Sequence, residues 1–331
     1  MRAVGEAGPG TDRVVSGGAQ GRMRRQRLED TLFRGTTRIF AFGVLALLLA
    51  VLLSLLIGSL PAIRAFGFGF LWNQSWNPVK DLFGALPAIY GTLVTATIAM
   101  VIAVPVGLGV AMFLTELCPP VLRRPIGVMI ELLAAIPSII YGIWGLFVLA
   151  PVLQLTVQPF LIDTLGNIPL LGVLFAGPPL GLGVLTAGFI LAVMVLPFVA
   201  SISRDVFLTV PSVLRESAYG IGATTSEVVR DIVLPFTRVG VVGGVMLGLG
   251  RALGETMAVT FVIGNSHRIG ASLLAPGTTI SATLANEFTE AVGDIYTSSL
   301  IELGLILFVI TFIVLAAARL MLMRLENRAA K

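Results

Sequence analysis

Residues 39–60 (IFAFGVLALLLAVLLSLLIGSL) run without a charged side chain. A helix rises about 1.5 Å per residue, so a run of this length crosses the roughly 30 Å hydrocarbon core of a bilayer. It is too long for the apolar core of a cleaved signal peptide, the competing reading, and is read as an uncleaved first span. Apolar stretches return at about 86–114, 126–150, 181–203, 237–263 and 299–320, which predicts an all-α polytopic membrane protein with six transmembrane helices. Composition agrees: of 331 residues 56% are hydrophobic and 12% charged, where soluble domains carry about 25% charged residues.

The segments between these spans differ in character. Residues 1–38 are rich in Gly and Arg and are expected to form a mostly unstructured basic tail, with a short interfacial helix at 27–38. Residues 61–85 carry Trp72 and Trp76 among Pro, Gly and Asn, a polar-aromatic loop suited to the membrane surface. Residues 151–180 are apolar but cut by Pro151, Pro159, Pro169, Pro178 and Pro179, which reads as a re-entrant or interfacial segment rather than a further span. The membrane domain therefore extends over 39–321, with a loop at 204–236, a Ser/Thr-rich loop at 264–298 and a short tail at 322–331.

Six spans place both termini on one side. Of the 22 Lys and Arg residues, all but Arg64, Lys80, Arg268 and the intraspan Arg251 fall on that side. The positive-inside bias then puts the N and C termini and loop 204–236 in the cytoplasm. A sequence pI near 9.7 invites a nucleic-acid reading, but this asymmetry assigns the basic charge to membrane topology. The single cysteine, Cys118, excludes an intramolecular disulfide and a multi-cysteine metal site, and no GxxxxGK[ST] run offers a nucleotide site. No metal or cofactor is expected. Ser and Thr residues lack a His or Cys partner to activate them, which argues against a membrane enzyme.

Loop 204–236 has the marks of a folded knob. Pro211 suits a helix start, with Val213, Leu214, Ala218 and Tyr219 as apolar positions and Arg215 and Glu216 facing elsewhere. Gly220 and Gly222 allow that helix to end. Thr224 and Glu227 have capping-box spacing and predict a second short helix, stopped by Pro235. A solvated connector is the plainer alternative, although a plain turn would need far fewer residues.

Arg251 lies inside the fifth span with Glu255 four residues on, so in a continuous helix they share a face. An arginine at mid-bilayer costs roughly 2.5–3.5 kcal/mol on insertion scales, so it should face the bundle interior or a wet pathway. An intrahelical ion pair that neutralises itself is one reading. The other is an anion checkpoint, because a guanidinium fork holds tetrahedral oxyanions bidentately and Glu255 could compensate it when empty. Gly243, Gly244, Gly248 and Gly250 thin the same helix.

Two sets of residues resemble known proteins. Glu216-Ser217-Ala218, Gly222 and Ile232-Val233-Leu234-Pro235 are similar to the EAA-x3-G-x9-I-x-LP signature of bacterial ABC-importer permeases, departing only in Ser for the middle Ala. The runs WNPV (76–79), FGALPAIYGTLVT (83–95), ELLAAIPSIIYGIWGLFVL (131–149) and GRALGETMAVTFVIGN (250–265) resemble the PstC-type permeases of phosphate ABC importers over about 76–321. That resemblance implies a type I importer (MetI-like) architecture in the bacterial plasma membrane and an ATPase-coupling role for Glu216, Ser217, Ala218, Gly222, Ile232, Leu234 and Pro235. It places Arg251 and Glu255 in the phosphate pathway. It also implies a PstA-type second permease, two PstB-type ATPase subunits that bind the ATP, and a PstS-type phosphate-binding protein. Another oxyanion such as sulfate or molybdate, or a phosphate-sensing scaffold, stays open.

Other charged positions rank lower. Glu131 is expected to meet Arg123 or Arg124, Glu302 to be interfacial near the start of the last span, and His267 to be a lone surface histidine.

Overall fold

A computed structural model of the chain describes residues 12–166, 168–169 and 172–329. Six of its helices are long and apolar enough to cross a membrane: Asp30–Phe66, Leu86–Leu117, Ser138–Leu165, Val184–Leu208, Thr225–Leu253 and Asp294–Arg324. The described residues divide between Ile57 and Gly58 into two units.

Helix α1 runs Asp12–Phe66. The tail expected to lack structure is therefore helical from Asp12 onward, and residues 1–11 lie outside the described residues. Once a span has nucleated, each added residue gains a hydrogen bond at no new nucleation cost, and the Arg, Gln, Leu and Glu of 22–30 are good helix formers. The most apolar 18-residue stretch of α1 holds no buried residue.

The second unit is built around α5 (Val184–Leu208), the most buried span. It packs most extensively on α2 (Leu86–Met112), whose Ala96, Ala99 and Ala103 are wholly buried against Leu191, Val195 and Val199. Small residues on one helix let the other backbone come close, which is what drives helix association where lipid is as apolar as leucine. Helix α3 (Pro120–Ala134) and α4 (Ser138–Leu165) follow α2, α6 (Ser212–Gly220) follows α5, and α7 spans Thr225–Leu253. On α7, Gly244 and Gly248 face α5, where an added Cβ would stand 2.7 Å from Ile202 and 3.1 Å from Val199. Gly243 meets nothing within 4 Å, and Gly250 is in ordinary contact with Leu315. A short turn α8 (Met257–Thr260), α9 (Ile280–Glu287) and α10 (Asp294–Ala329) complete the order.

Four prolines bear on where the spans begin and end. Pro151, Pro159 and Pro235 do not end helices: each follows a widened π turn, at Gly145–Leu149, Leu153–Val157 and Val229–Val233. In each case the residue just before the proline donates its N–H five residues back: Ala150 to Gly145, Gln158 to Leu153, Leu234 to Val229. Widening moves aside the carbonyl that the proline ring would strike and lets the helix continue. Pro137 has no such turn before it, and there the helix stops at Ala134 and restarts at Ser138.

Three expectations are corrected accordingly. The third span is not 126–150 with a re-entrant segment after it; the membrane-length helix is Ser138–Leu165, which absorbs the first part of 151–180. The second helix of the knob does not stop at Pro235 but runs on as α7. The fifth span ends at Leu253 rather than at 263, because Gly254 breaks the helix and the Glu255 carboxylate accepts from the Ala258 N–H at 3.3 Å to start the new turn α8.

Candidate functional site

Arg251 occupies the last turn of α7, where a cation is favoured by the negative end of the helix dipole. Gly248, one turn earlier, rests on Val195 and Val199 near the midpoint of α5, so α7 ends at mid-height of the bundle. The break between α3 and α4 lies alongside. Gly142 of α4 packs against Met257, Ala258 and Phe261, and the Tyr141 hydroxyl donates to the Leu133 carbonyl at 2.8 Å, tying the start of α4 to the end of α3 across the break at 135–137. Arg251 acts electrostatically on that same tyrosine.

Two interrupted helices thus meet beside one arginine at mid-height. Interrupted helices at this depth are where membrane transporters expose polar backbone to a substrate. The structure parts Arg251 from the partner that its spacing suggests. Arg251 is exposed, Glu255 lies beyond the helix end engaged with the α8 backbone, and no ion pair joins them among the described residues. The four-residue spacing gave no shared face because Gly254 intervenes. An uncompensated guanidinium on an open face is chemically an anion site with its fork free.

The knob forms a second site. Pro211 caps α6, which ends at Gly220, and Gly222 turns the chain at φ +91, a conformation that glycine adopts without strain. The Thr224–Glu227 capping box is present in both directions and opens α7. Ala218 is buried with Phe207, Val210, Val228 and Val233, and Ile232 and Leu234 pack against this cluster. Glu216, Ser217, Gly222 and Pro235 are exposed. Of the signature residues, then, three build the knob and four face outward.

Ala218 is buried and Glu216 faces outward as expected, but the other positions depart from the expected pattern. Val213, Tyr219 and Ile221 are exposed at 66%, 43% and 88%, making an apolar surface around Glu216. Arg215 turns inward instead, with Nη2 donating to the Phe207 carbonyl at 2.7 Å and standing 3.2 Å from Glu116 Oε1. Glu131 likewise pairs with neither Arg123 nor Arg124. It meets Arg204 at 2.6 Å, whose guanidinium crosses over Gly127.

At the opposite end of the bundle, His267 is not solitary. Its Nε2 lies 2.7 Å from Glu287 Oε1 and its ring stacks on Trp76 with centroids 5.0 Å apart. Trp76 Nε1 and the Tyr296 hydroxyl both donate to Glu287 Oε2 at 2.7 Å. Burial pushes the Glu287 carboxyl up, but the hydrogen bonds and the His267 charge outweigh it and hold the group below its ordinary value. Glu302, expected at the interface, is buried with Oε2 unpartnered. Among the described residues no three His, Cys, Asp or Glu gather as a metal site.

Comparison with known proteins gives a consistent picture. Residues 103–327 match the family model described as binding-protein-dependent transport system inner membrane component. The chain is 64% identical to the phosphate transport system permease protein PstC of Mesorhizobium japonicum, covering 99% of each chain. It is 55% identical to the PstC of Pasteurella multocida, over 91% of this chain and 94% of that one. Two solved structures share the fold. One is a bacterial ABC transporter for the acidic polysaccharide alginate (TM-score 0.52, 16% identity, 85% of this chain and 95% of that chain). The other is the inward-facing MetNI methionine ABC transporter (TM-score 0.52, 19% identity, 76% of this chain and 99% of that chain).

Proposed function

The chain belongs to the family of binding-protein-dependent transport system inner membrane components, and on that premise we propose that it is a membrane-spanning permease subunit of an ATP-driven importer of inorganic phosphate. The observation that carries the substrate is the full-length identity to phosphate transport permeases, joined by an arginine, Arg251, that has no ion pair among the described residues and stands where two helices break off. Phosphate is a tetrahedral dianion or monoanion near neutral pH, and the Arg251 fork offers it two parallel donors.

In this reading the knob and both termini face the cytoplasm, which the distribution of Lys and Arg supports. The exposed Glu216, Ser217 and Gly222, ringed by Val213, Tyr219 and Ile221, dock in a cleft of an ATPase subunit. Ala218, Ile232 and Leu234 keep the knob rigid enough to pass a push into α7, whose far end carries Arg251. The chain works with a PstA-type permease, two PstB-type ATPase copies that bind the ATP, and a PstS-type binding protein that delivers phosphate from outside the plasma membrane. Glu255 acts through the backbone, fixing the start of α8 and so the end of the helix that presents Arg251.

Uptake of labelled phosphate by cells that depend on the assembled complex tests the substrate. Unlabelled phosphate should compete while sulfate and molybdate should not. Competition by sulfate or molybdate at equal concentration would transfer the assignment to another oxyanion.

A further inference from the structure

A cavity of about 300 Å³ opens where the knob end of α2, the first turns of α3 and the last turn of α5 converge. Arg123, Arg124 and Arg204 line it with Glu131, over a floor that includes Leu114, Val128 and Leu208. Arg204 is committed, bridging Glu131 at 2.6 Å and Asp205 at 2.9 Å. The other two arginines are not. Arg123 reaches only the Cys118 carbonyl, at 3.5 Å, and its buried Nε has no hydrogen-bond partner. Arg124 makes no hydrogen bond or ion pair among the described residues.

Two guanidinium groups without counter-charges, one of them with a buried donor unsatisfied, call for an acceptor-rich anion. The apolar floor beneath them distinguishes among anions. Free phosphate gains nothing from Leu114, Val128 and Leu208, whereas an amphiphile whose phosphodiester sits on an acylated glycerol satisfies both halves of the cavity. We propose that this cavity holds the phosphodiester headgroup of an anionic phospholipid, with Arg123 and Arg124 on the phosphate and the upper acyl chain along Val128 and Leu208. The inference rests on the orientation proposed above, in which this end of the bundle meets the inner leaflet.

The test uses the purified importer complex in nanodiscs of phosphatidylcholine, with or without phosphatidylglycerol, and reads retained lipid by native mass spectrometry. The unsubstituted complex should keep phosphatidylglycerol in preference to phosphatidylcholine. Arg123→Gln with Arg124→Gln should lower that retention roughly tenfold or more, and Lys at both positions should largely restore it, since an ammonium still binds phosphate as a point charge. Val128→Trp, which fills the floor and leaves the charges alone, should also lower retention and keeps the test open if the double variant fails to assemble. Unchanged retention in either variant overturns the proposal. So does inorganic phosphate that displaces phosphatidylglycerol through the two arginines, because the site would then serve the free anion. Phosphate uptake that persists in variants that have lost the lipid leaves the transport reading standing.

Discussion

Arg215 Nη2 stands 3.2 Å from Glu116 Oε1, with side chains 18% and 6% exposed. This pair ties α6 to the turn that closes α2, so the knob is fastened to the bundle by a charge as well as by its apolar cluster. Removing one member strands the other. Glu116→Gln or Arg215→Gln should lower the stability of the assembled complex by about 3 kcal/mol, with the double variant recovering part of it. Thermal unfolding of the four forms measures the coupling, and strictly additive losses would dissolve the joint.

Glu216 lies beside Arg215 but points away from the bundle. Glu216→Lys should therefore leave folding within about 0.5 kcal/mol of the original, as exposed substitutions usually do. Stimulation of ATP hydrolysis by the loaded binding protein should be lost in the same variant. Normal stimulation would rule out docking through this face.

Arg251→Gln should reduce phosphate uptake roughly tenfold to a hundredfold, the worth of one charge-assisted hydrogen-bond pair, while the complex still assembles. Arg251→Lys should fall between, since it keeps the charge and loses the fork. Glu255→Gln retains an oxygen for the Ala258 N–H and should be milder than Glu255→Ala. Unchanged uptake in the Gln variant at position 251 would remove the arginine from the pathway.

Glu287 accepts from Trp76 and Tyr296 and faces His267. Its carboxyl is held below 4.5 in the folded chain. The cluster's stabilisation is therefore fully present above that value and is lost as pH falls through the lower folded one. Thermal stability of the complex, followed on acidification, should begin to fall as pH drops through the carboxylate range near about 4.3, and Glu287→Ala should remove that part of the fall. Glu287→Ala should cost about 1–3 kcal/mol by stranding buried donors. An acid-side stability profile identical in the unsubstituted and Glu287→Ala complexes would contradict this assignment.

Gly91 is the tightest approach between α2 and the chain before α9. A Cβ there would lie 1.8 Å from the Thr278 carbonyl oxygen, a backbone atom with no freedom to yield, and the next residue, Thr92, accepts from the Ile280 N–H at 3.0 Å. Gly91→Ala should destabilise by about 3 kcal/mol, the upper range for overpacking, and reduce the yield of folded complex. Wild-type thermal stability in that variant would show the contact to be loose.

Much of this protein is legible in its sequence because the signals are local. Uncharged runs such as 39–60 need only be long enough to cross a bilayer, and Thr224 with Glu227 caps a helix through atoms a few residues apart. Signals that depend on neighbours were misread. Pro151, Pro159 and Pro235 look like helix ends, yet the helix runs on past each from a π turn, while at Pro137 the chain leaves α3 and restarts as α4. Arg251 and Glu255 have helical spacing, but the helix stops between them at a glycine. The charge pairs that fasten the bundle, Arg215 with Glu116, Arg204 with Glu131 and His267 with Glu287, join residues on separate elements at no recognisable spacing. Hydropathy and capping act along the chain and can be read from it. Which carboxylate an arginine meets is decided only when packing brings two helix ends to the same place.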